Sequence, residues 1–185
     1  SSSSEAKKYL IALNIAAHHK NVITLVKAFC EVADKVPYNL VLVGKKPSND
    51  PELYEYIDRS KFKNRITFTG FVSKEELNRL IALSAIYVNP SLYEGFGMTP
   101  IEMMGRNVQT IVADCTASAE TTLRLCRYYY PPKDYKALSL EIMKLVENPM
   151  KGSDLSIIAD AVKDIYDYKK IAQEYWTALE ELINL

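Results

Sequence analysis

Short apolar runs alternate with amphipathic helical patterns along this chain, and that order constrains its fold more than any other feature. The runs are continuous in Val, Ile, Leu and aromatic residues, as strands buried on both faces are. They cover residues 9–13, 40–44, 65–70, 85–88 and 110–113, with a shorter candidate at 127–130. The alternation predicts an α/β domain: a Rossmann-like parallel sheet with right-handed crossovers and helices on both faces.

Helix start and stop signals separate the apolar runs. Asn21 is predicted to cap a helix with apolar residues at 3.6-residue spacing, and Ser73 with Glu76 is predicted to form a capping box. Asp154 is predicted to cap a long closing helix or helix pair. Its expected inward stripe is Leu155, Ile158, Val162, Ile165, Ala172, Tyr175, Trp176, Leu179 and Leu182.

The length of 185 residues suits a single domain. We expect residues 1–8 to be a leader or linker. Residues 9–185 are expected to form one Rossmann-like domain that includes the C-terminal helical segment from about residue 154. The serine run at the start gives no signal for a structured element.

Charge and cysteine content exclude several classes of function. Lys and Arg number 23, as do Asp and Glu, so no net field recruits nucleic acid. The tyrosine run at 128–130 lacks interleaved basic residues, and we interpret it as packing rather than a stacking platform. Three cysteines without a CxxC pair indicate reduced thiols and a cytoplasmic location. No apolar stretch is long enough to predict a membrane span.

Residues 91–102 are the candidate binding stretch. They follow an apolar run and contain two glycines before a helical pattern, with Pro100 in its first turn. Unpaired amides at such a helix start attract anions, and Glu94 and Glu102 flank the turn. An alternative stays open: glycine turns are common in α/β proteins, and a Glu in a first turn is often only a partner of the helix dipole.

Four loops are predicted to meet at one edge of the sheet. They follow Leu13, Val43, Phe68 and Val88, at what would be the carboxyl ends of parallel strands. Ligands bind at that edge in open α/β sheets. The loops carrying Lys20, Gly44, Val72 and Glu94 should therefore converge on one site.

An ordered set of motifs resembles the retaining GT-B glycosyltransferases, in particular glycosyl transferases group 1, also called family four. Glu94 and Glu102 have the spacing of that family's E-x7-E stretch, and residues 19–21 (HKN) are similar to its H-K-N segment. Further similar segments follow in order along the chain: 42–44 (LVG), 66–73 (ITFTGFVS), 89–91 (NPS) and 132–134 (PKD). The chain resembles only the second, donor-binding half of such enzymes.

The resemblance implies roles for individual residues, with Lys20 and Glu94 in the catalytic group. Lys20 would neutralise the donor diphosphate, and Glu94 would hold hydroxyls of the transferred sugar. Glu102 would accept hydrogen bonds from the ribose. The remaining donor contacts would come from the backbone of Gly97, Met98, Thr99 and Val72, with Gly44 in the neighbouring loop. Glu120 lies in a loop where helix capping and ligand contact are both open.

The implied reaction moves a hexosyl unit from a UDP- or GDP-linked sugar to a saccharide or lipid-linked acceptor, in polysaccharide biosynthesis. The substrate is the nucleotide sugar, and neither a cofactor nor a metal is expected. The expected partners are the donor, the acceptor and a missing N-terminal GT-B domain, which would supply any peripheral contact with the inner membrane face. Alone, the chain would be inactive.

Departures from the family pattern keep a second hypothesis open. The family's first phosphate-binding cation falls near Asn14, so a positive charge is missing unless Lys45 or Lys46 substitutes. The sequence is then either a fragment of a two-domain enzyme or a separate subunit. The alternative function is a non-catalytic nucleotide-binding or assembly subunit with the same fold. An unrelated Rossmann reductase is disfavoured because no G-x-G-x-x-G follows the first strand.

Overall fold

The computed structural model describes residues 7–183, and within that range six strands form one parallel sheet. The strands are β1 Tyr9–Leu13, β2 Asn39–Val43, β3 Ile66–Gly70, β4 Ser84–Asn89, β5 Gln109–Ala113 and β6 Arg127–Tyr129. Their order across the sheet is β3-β2-β1-β4-β5-β6, and each neighbouring pair is parallel. The prediction of a Rossmann-like sheet is confirmed, and the sixth candidate run forms the short edge strand.

The helices cover both faces of this sheet. They are α1 Val22–Val32, α2 Pro51–Arg59, α3 Lys74–Ala82, α4 Met98–Met104, α5 Ser118–Thr121, α6 Tyr135–Glu147, α7 Gly152–Ile165 and α8 Tyr168–Ile183. Successive strand residues point to opposite faces. Leu10 and Ala12 therefore join a core with α1 and α6, whereas Ile11 joins a second core with α3 and α4. Burial on both faces explains why the strands are continuously apolar.

The predicted helix starts at Asn21 and Ser73 are confirmed, whereas the start predicted at Asp154 is wrong. Asn21 is the N-cap of α1, but it has a left-handed conformation (φ +49°) and its side chain accepts no bond from a backbone N–H of that helix. Its amide instead donates to Pro90 O and Pro132 O, 3.0 and 2.9 Å away. Lys151, not Asp154, is the N-cap of α7. The hydroxyl of Ser73 accepts from the Glu76 N–H at the third helical position of α3, which is one half of the predicted capping box; the Glu76 carboxylate, expected to supply the other half, accepts from Arg79 instead.

The predicted inward stripe of the C-terminal helices is largely wrong for this chain. In α7, Ala159 and Val162 are buried, and Val162 packs against Ile101 and Met104 of α4. The apolar side chains of α8 are exposed instead, and Trp176 is 60% exposed with its indole N–H donated to Glu180. An amphipathic pattern specifies a helix with an apolar face but not what covers that face.

The first described residues already contact the domain. Lys8 N donates to Leu83 O, and Lys8 O accepts from Asn39 N. Residues 1–6 of the expected leader lie outside the described range. Across residues 7–183, no helix is long and apolar enough to cross a membrane.

Candidate functional site

A cavity of about 200 Å³ lies at the carboxyl edge of the sheet. The ends of β1, β2 and β3 supply one wall, and the first turns of α4 supply Thr99 and Glu102. Gly44 and Gly70 hold the loops after β2 and β3 together, because Gly44 N donates to Gly70 O over 3.0 Å. The structure thus brings predicted residues Gly44, Val72, Thr99 and Glu102 around one hollow.

The turn before α4 adopts the conformation that its glycines predict. Gly97 is the N-cap of α4 and has φ +75°, a left-handed value that side chains disfavour. It also lies against Glu94, since a Cβ on Gly97 would sit 3.6 Å from the Glu94 Cβ. Two residues later, Thr99 lines the cavity. Gly97 therefore joins the Glu94 side of the site to the cavity side.

The HKN segment is bound to the loop between β4 and α4 by its side chains and backbone. It forms a 3-10 turn, His18–Lys20, followed by Asn21, which bonds to Pro90 O as described above. His19 O accepts from Leu92 N over 2.8 Å, and the His19 ring stacks on Tyr93 with centroids 4.7 Å apart. These contacts give His19 a loop-shaping role and place Lys20 beside the β4–α4 loop.

Lys20 and Glu94 form an ion pair, with Nζ 2.6 Å from Oε1. Their side chains are only 19% and 13% exposed. Burial alone raises the pKa of the Glu94 carboxyl. Hydrogen bonds from Lys20, Ser91 and Asn89, together with the ammonium charge, outweigh burial and hold that pKa below its usual value. The carboxylate is therefore ionised at neutral pH. In this structure it is the partner of Lys20, the lysine that is predicted to bind a diphosphate.

Tyr87 of β4 is buried beneath the two glutamates. Burial, then the negative charges of Glu94 and Glu102, raise the pKa of its phenol far above the usual value. The phenol therefore stays neutral. It belongs to the apolar core under the cavity, together with Val43 and Leu77.

The remaining residues named from the sequence differ in where they lie relative to the cavity. The Met98 side chain is half exposed and lines a different hollow with Val162 and Tyr166. The role predicted for Met98 involves its backbone amide and not this side chain. Asn14 lines the cavity in a left-handed conformation (φ +57°). Lys46, a conjectured substitute cation, has its Nζ 5.2 Å from the Phe68 ring centroid.

Sequence reasoning missed three residues that contact Glu94. Asn89 Nδ2 lies 3.3 Å from Glu94 Oε1, and the Ser91 hydroxyl donates to Asn89 Oδ1 over 2.7 Å beside the carboxylate. Thr116, in the loop after β5, bonds to the backbone of Glu94. Asn89 and Ser91 could have been found as polar residues directly after a buried strand. Thr116 has no comparable signal, because it lies 22 residues away in the chain.

The described residues contain no metal-binding cluster and no disulfide. Among residues 7–183, no group of three or more His, Cys, Asp or Glu side chains is placed to hold a metal ion. The three cysteines are free thiols. Cys115 donates to Ser91 O over 3.1 Å and so ties the loop after β5 to the loop after β4.

A family model described as glycosyl transferases group 1 matches residues 1–162. The chain belongs to this family. Among curated relatives of this glycosyltransferase chain is the O-antigen chain mannosyltransferase RfbU of Salmonella typhimurium, with 30% identity over 145 residues. The alignment covers 78% of the chain and 40% of that relative, so the chain spans about two fifths of the relative's length.

Solved structures show the same fold at lower identity. Sucrose-phosphate synthase from Thermosynechococcus elongatus superposes with a TM-score of 0.78 at 21% identity, over 98% of this chain and 46% of that one. The pneumococcal O-GlcNAc transferase GtfA, solved with UDP and GlcNAc, also gives 0.78 at 21%, over 98% and 37%. Neighbours of this kind are GT-B glycosyltransferases, and the likeness establishes the fold.

Proposed function

We propose that this glycosyltransferase domain binds the nucleotide-sugar donor of a retaining enzyme that transfers a hexosyl unit to a saccharide or lipid-linked acceptor. The observation that carries the proposal is the convergence of three strand ends and the start of α4 on one cavity, with Glu102 at its wall. An apolar hollow with few polar groups suits a nucleoside, and a carboxylate suits a ribose diol.

The ion pair of Lys20 and Glu94 lies on the side of Gly97 opposite the cavity, and we give its two members different roles toward the donor. We assign Lys20 and the α4 amides to the diphosphate, where they stabilise the charge that develops as the sugar–phosphate bond breaks. Glu94 then holds hydroxyls of the sugar. Since Lys20 and Glu94 contact each other in this structure, donor binding must exchange that contact for contacts to the ligand. No step in this scheme requires a metal or cofactor.

Relatives guide the choice of donor. RfbU is named a mannosyltransferase, and GtfA was solved with UDP and GlcNAc. Mannose is therefore the first donor sugar to test, with GDP and UDP as alternative carriers.

The acceptor contacts and closure over the sugar are assigned to a further N-terminal domain, because the chain spans only part of its relatives. Apolar residues of α8, including Trp176, are candidates for contact with that domain.

Isothermal titration of the chain with GDP-mannose, UDP-glucose and UDP-GlcNAc tests the proposal. Wild-type protein should bind at least one donor, and Glu102→Ala should weaken binding by about tenfold or more, as for loss of a hydrogen-bonded charged group. Glu75→Ala is the matched control, since Glu75 is an exposed glutamate in the first turn of α3. Binding that ignores Glu102, or no binding to any of the three, contradicts the assignment.

The second candidate is a non-catalytic nucleotide-binding or assembly subunit. The observation in its favour is Asn14, a neutral residue where the family carries a cation. The gene region preceding Ser1 discriminates the two. An in-frame Rossmann-like half supports the enzyme, and anomeric retention by that longer protein, followed by NMR, tests the mechanism. Donor binding without transfer by the longer protein favours the subunit.

A further inference from the structure

The loop after β5 contacts the backbone of Glu94 through a single side chain. Glu94 N donates to Thr116 Oγ1 over 3.0 Å, and the Thr116 hydroxyl donates to Glu94 O over 2.9 Å. A hydroxyl carries one proton and can accept at its lone pairs, so both bonds are compatible. One side chain thus satisfies both backbone polar groups of a predicted catalytic residue.

The backbone of Thr116 is unusual for its residue type. Its φ is +41°, in the left-handed region where a β-branched residue is an outlier. Such conformations persist where surrounding contacts hold them, and they cluster at ligand-binding positions. The strain and the paired hydrogen bonds occur at the same residue, next to Cys115, which bonds to Ser91 O.

We propose that Thr116 is a positioning residue that fixes the backbone of Glu94, so that the Glu94 carboxylate is placed for the donor sugar. The proposal rests on the proposed function, in which Glu94 holds sugar hydroxyls. Glu94 is then held at two places: its backbone by Thr116 and its carboxylate by Lys20. A water molecule could satisfy the same backbone groups but would not tie the two loops together.

A positioning role for Thr116 predicts different effects on ligands with and without the sugar. Fixing Glu94 helps only ligands that carry the sugar, whereas the nucleoside diphosphate is held elsewhere. The informative quantity is the sugar increment, defined as the dissociation constant of the nucleoside diphosphate divided by that of its nucleotide sugar. A purely structural role of Thr116 would change both constants together and leave the increment unaltered.

Calorimetry on the 185-residue chain measures the increment in three variants. Thr116→Val keeps the branched shape and removes the hydroxyl, and we expect the increment to fall about fivefold. Thr116→Ser keeps the hydroxyl and should retain the wild-type increment. Thr121→Val is the matched control, because its hydroxyl bonds only to carbonyls of its own helical segment (Ala117 O, Ser118 O).

A double-mutant cycle identifies the residue through which Thr116 acts. In a Glu94→Ala background, Thr116→Val should leave the residual increment unchanged. If Thr116→Val does not fold, Thr116→Gly replaces it, since glycine accepts the positive φ and also lacks the hydroxyl.

The outcomes separate this inference from the proposed function. A wild-type increment that Thr116→Val and Thr116→Gly leave intact overturns the role of Thr116 while the proposed function stands. A wild-type chain that binds neither ligand refutes the proposed function, and the role of Thr116 with it.

Discussion

Replacing Lys20 with Met removes the cation from the ion pair at the centre of the site. The pair has a separation of 2.6 Å, and both side chains are less than one fifth exposed. Fully exposed pairs contribute about 0.2–1 kcal/mol, whereas removing one partner of a buried pair costs about 3–5 kcal/mol. Lys20→Met should therefore lower the free energy of unfolding by about 1.5–3 kcal/mol at pH 7, between these limits.

The loss should depend on pH in a defined direction. The folded-state pKa of Glu94 lies below its usual value, so its contribution to stability is fully present above that usual pKa. The contribution is lost as the pH falls through the depressed folded-state pKa, where the carboxylate becomes protonated in both states. The difference between wild type and Lys20→Met should consequently shrink when the pH is lowered from 7 to 3.

Urea denaturation at both pH values measures this difference, with Lys27→Met as the matched control. Lys27 lies 2.7 Å from Glu52, but the Glu52 side chain is 70% exposed. Removing that lysine should cost clearly less than removing Lys20, because solvent screens the exposed pair. If the two variants lose the same stability at pH 7, or if the Lys20 effect is as large at pH 3, the reasoning from burial is refuted.

Three further predictions concern the site and its support. Glu94→Gln removes the charge that pairs with Lys20. In calorimetry, a nucleoside diphosphate should then bind at least as tightly as it binds to wild type, whereas the nucleotide sugar should bind more weakly. Equal losses of affinity for both ligands would contradict the assignment. Gly97→Ala should lower the free energy of unfolding by about 1 kcal/mol or more because φ is +75°, and Gly95→Ala, with open space around its Cα, serves as the control in thermal denaturation. Arg65→Met should cost about 2–4 kcal/mol because its guanidinium donates to three backbone carbonyls; urea denaturation showing no more loss than for exposed Arg59→Met would argue against that estimate.

Local patterns sufficed for the sheet and for the edge where the cavity lies. Period and turn signals specify strands and helices from neighbouring residues alone, and parallel topology then brings the strand ends to one edge. The predicted turn at Gly97 and the cap at Ser73 are likewise local, and both are present in the structure. Gly44, Val72, Thr99 and Glu102 meet at the cavity for this reason. Their individual roles toward a ligand stay predictions.

Asn21 shows where a local rule gave the wrong interaction. Its residue type and position favoured a side-chain helix cap, but its side-chain oxygen accepts from the Thr24 hydroxyl and its amide nitrogen donates to two carbonyls in distant loops. One of those partners lies 111 residues away in the chain. The capping rule describes the neighbours of Asn21 and contains no information about such a partner.

Sequence by itself determined the order of strands and helices, the sheet they form and the edge of the sheet at which the cavity lies. Tertiary structure alone decided that Lys20 pairs with Glu94, that Thr116 holds the Glu94 backbone and that the apolar face of α8 is uncovered within this chain. The physical reason is the distance along the chain over which each kind of interaction acts. Secondary structure follows from the periodicity of nearby side chains, whereas contacts between loops depend on how separate elements are brought together by the packed sheet.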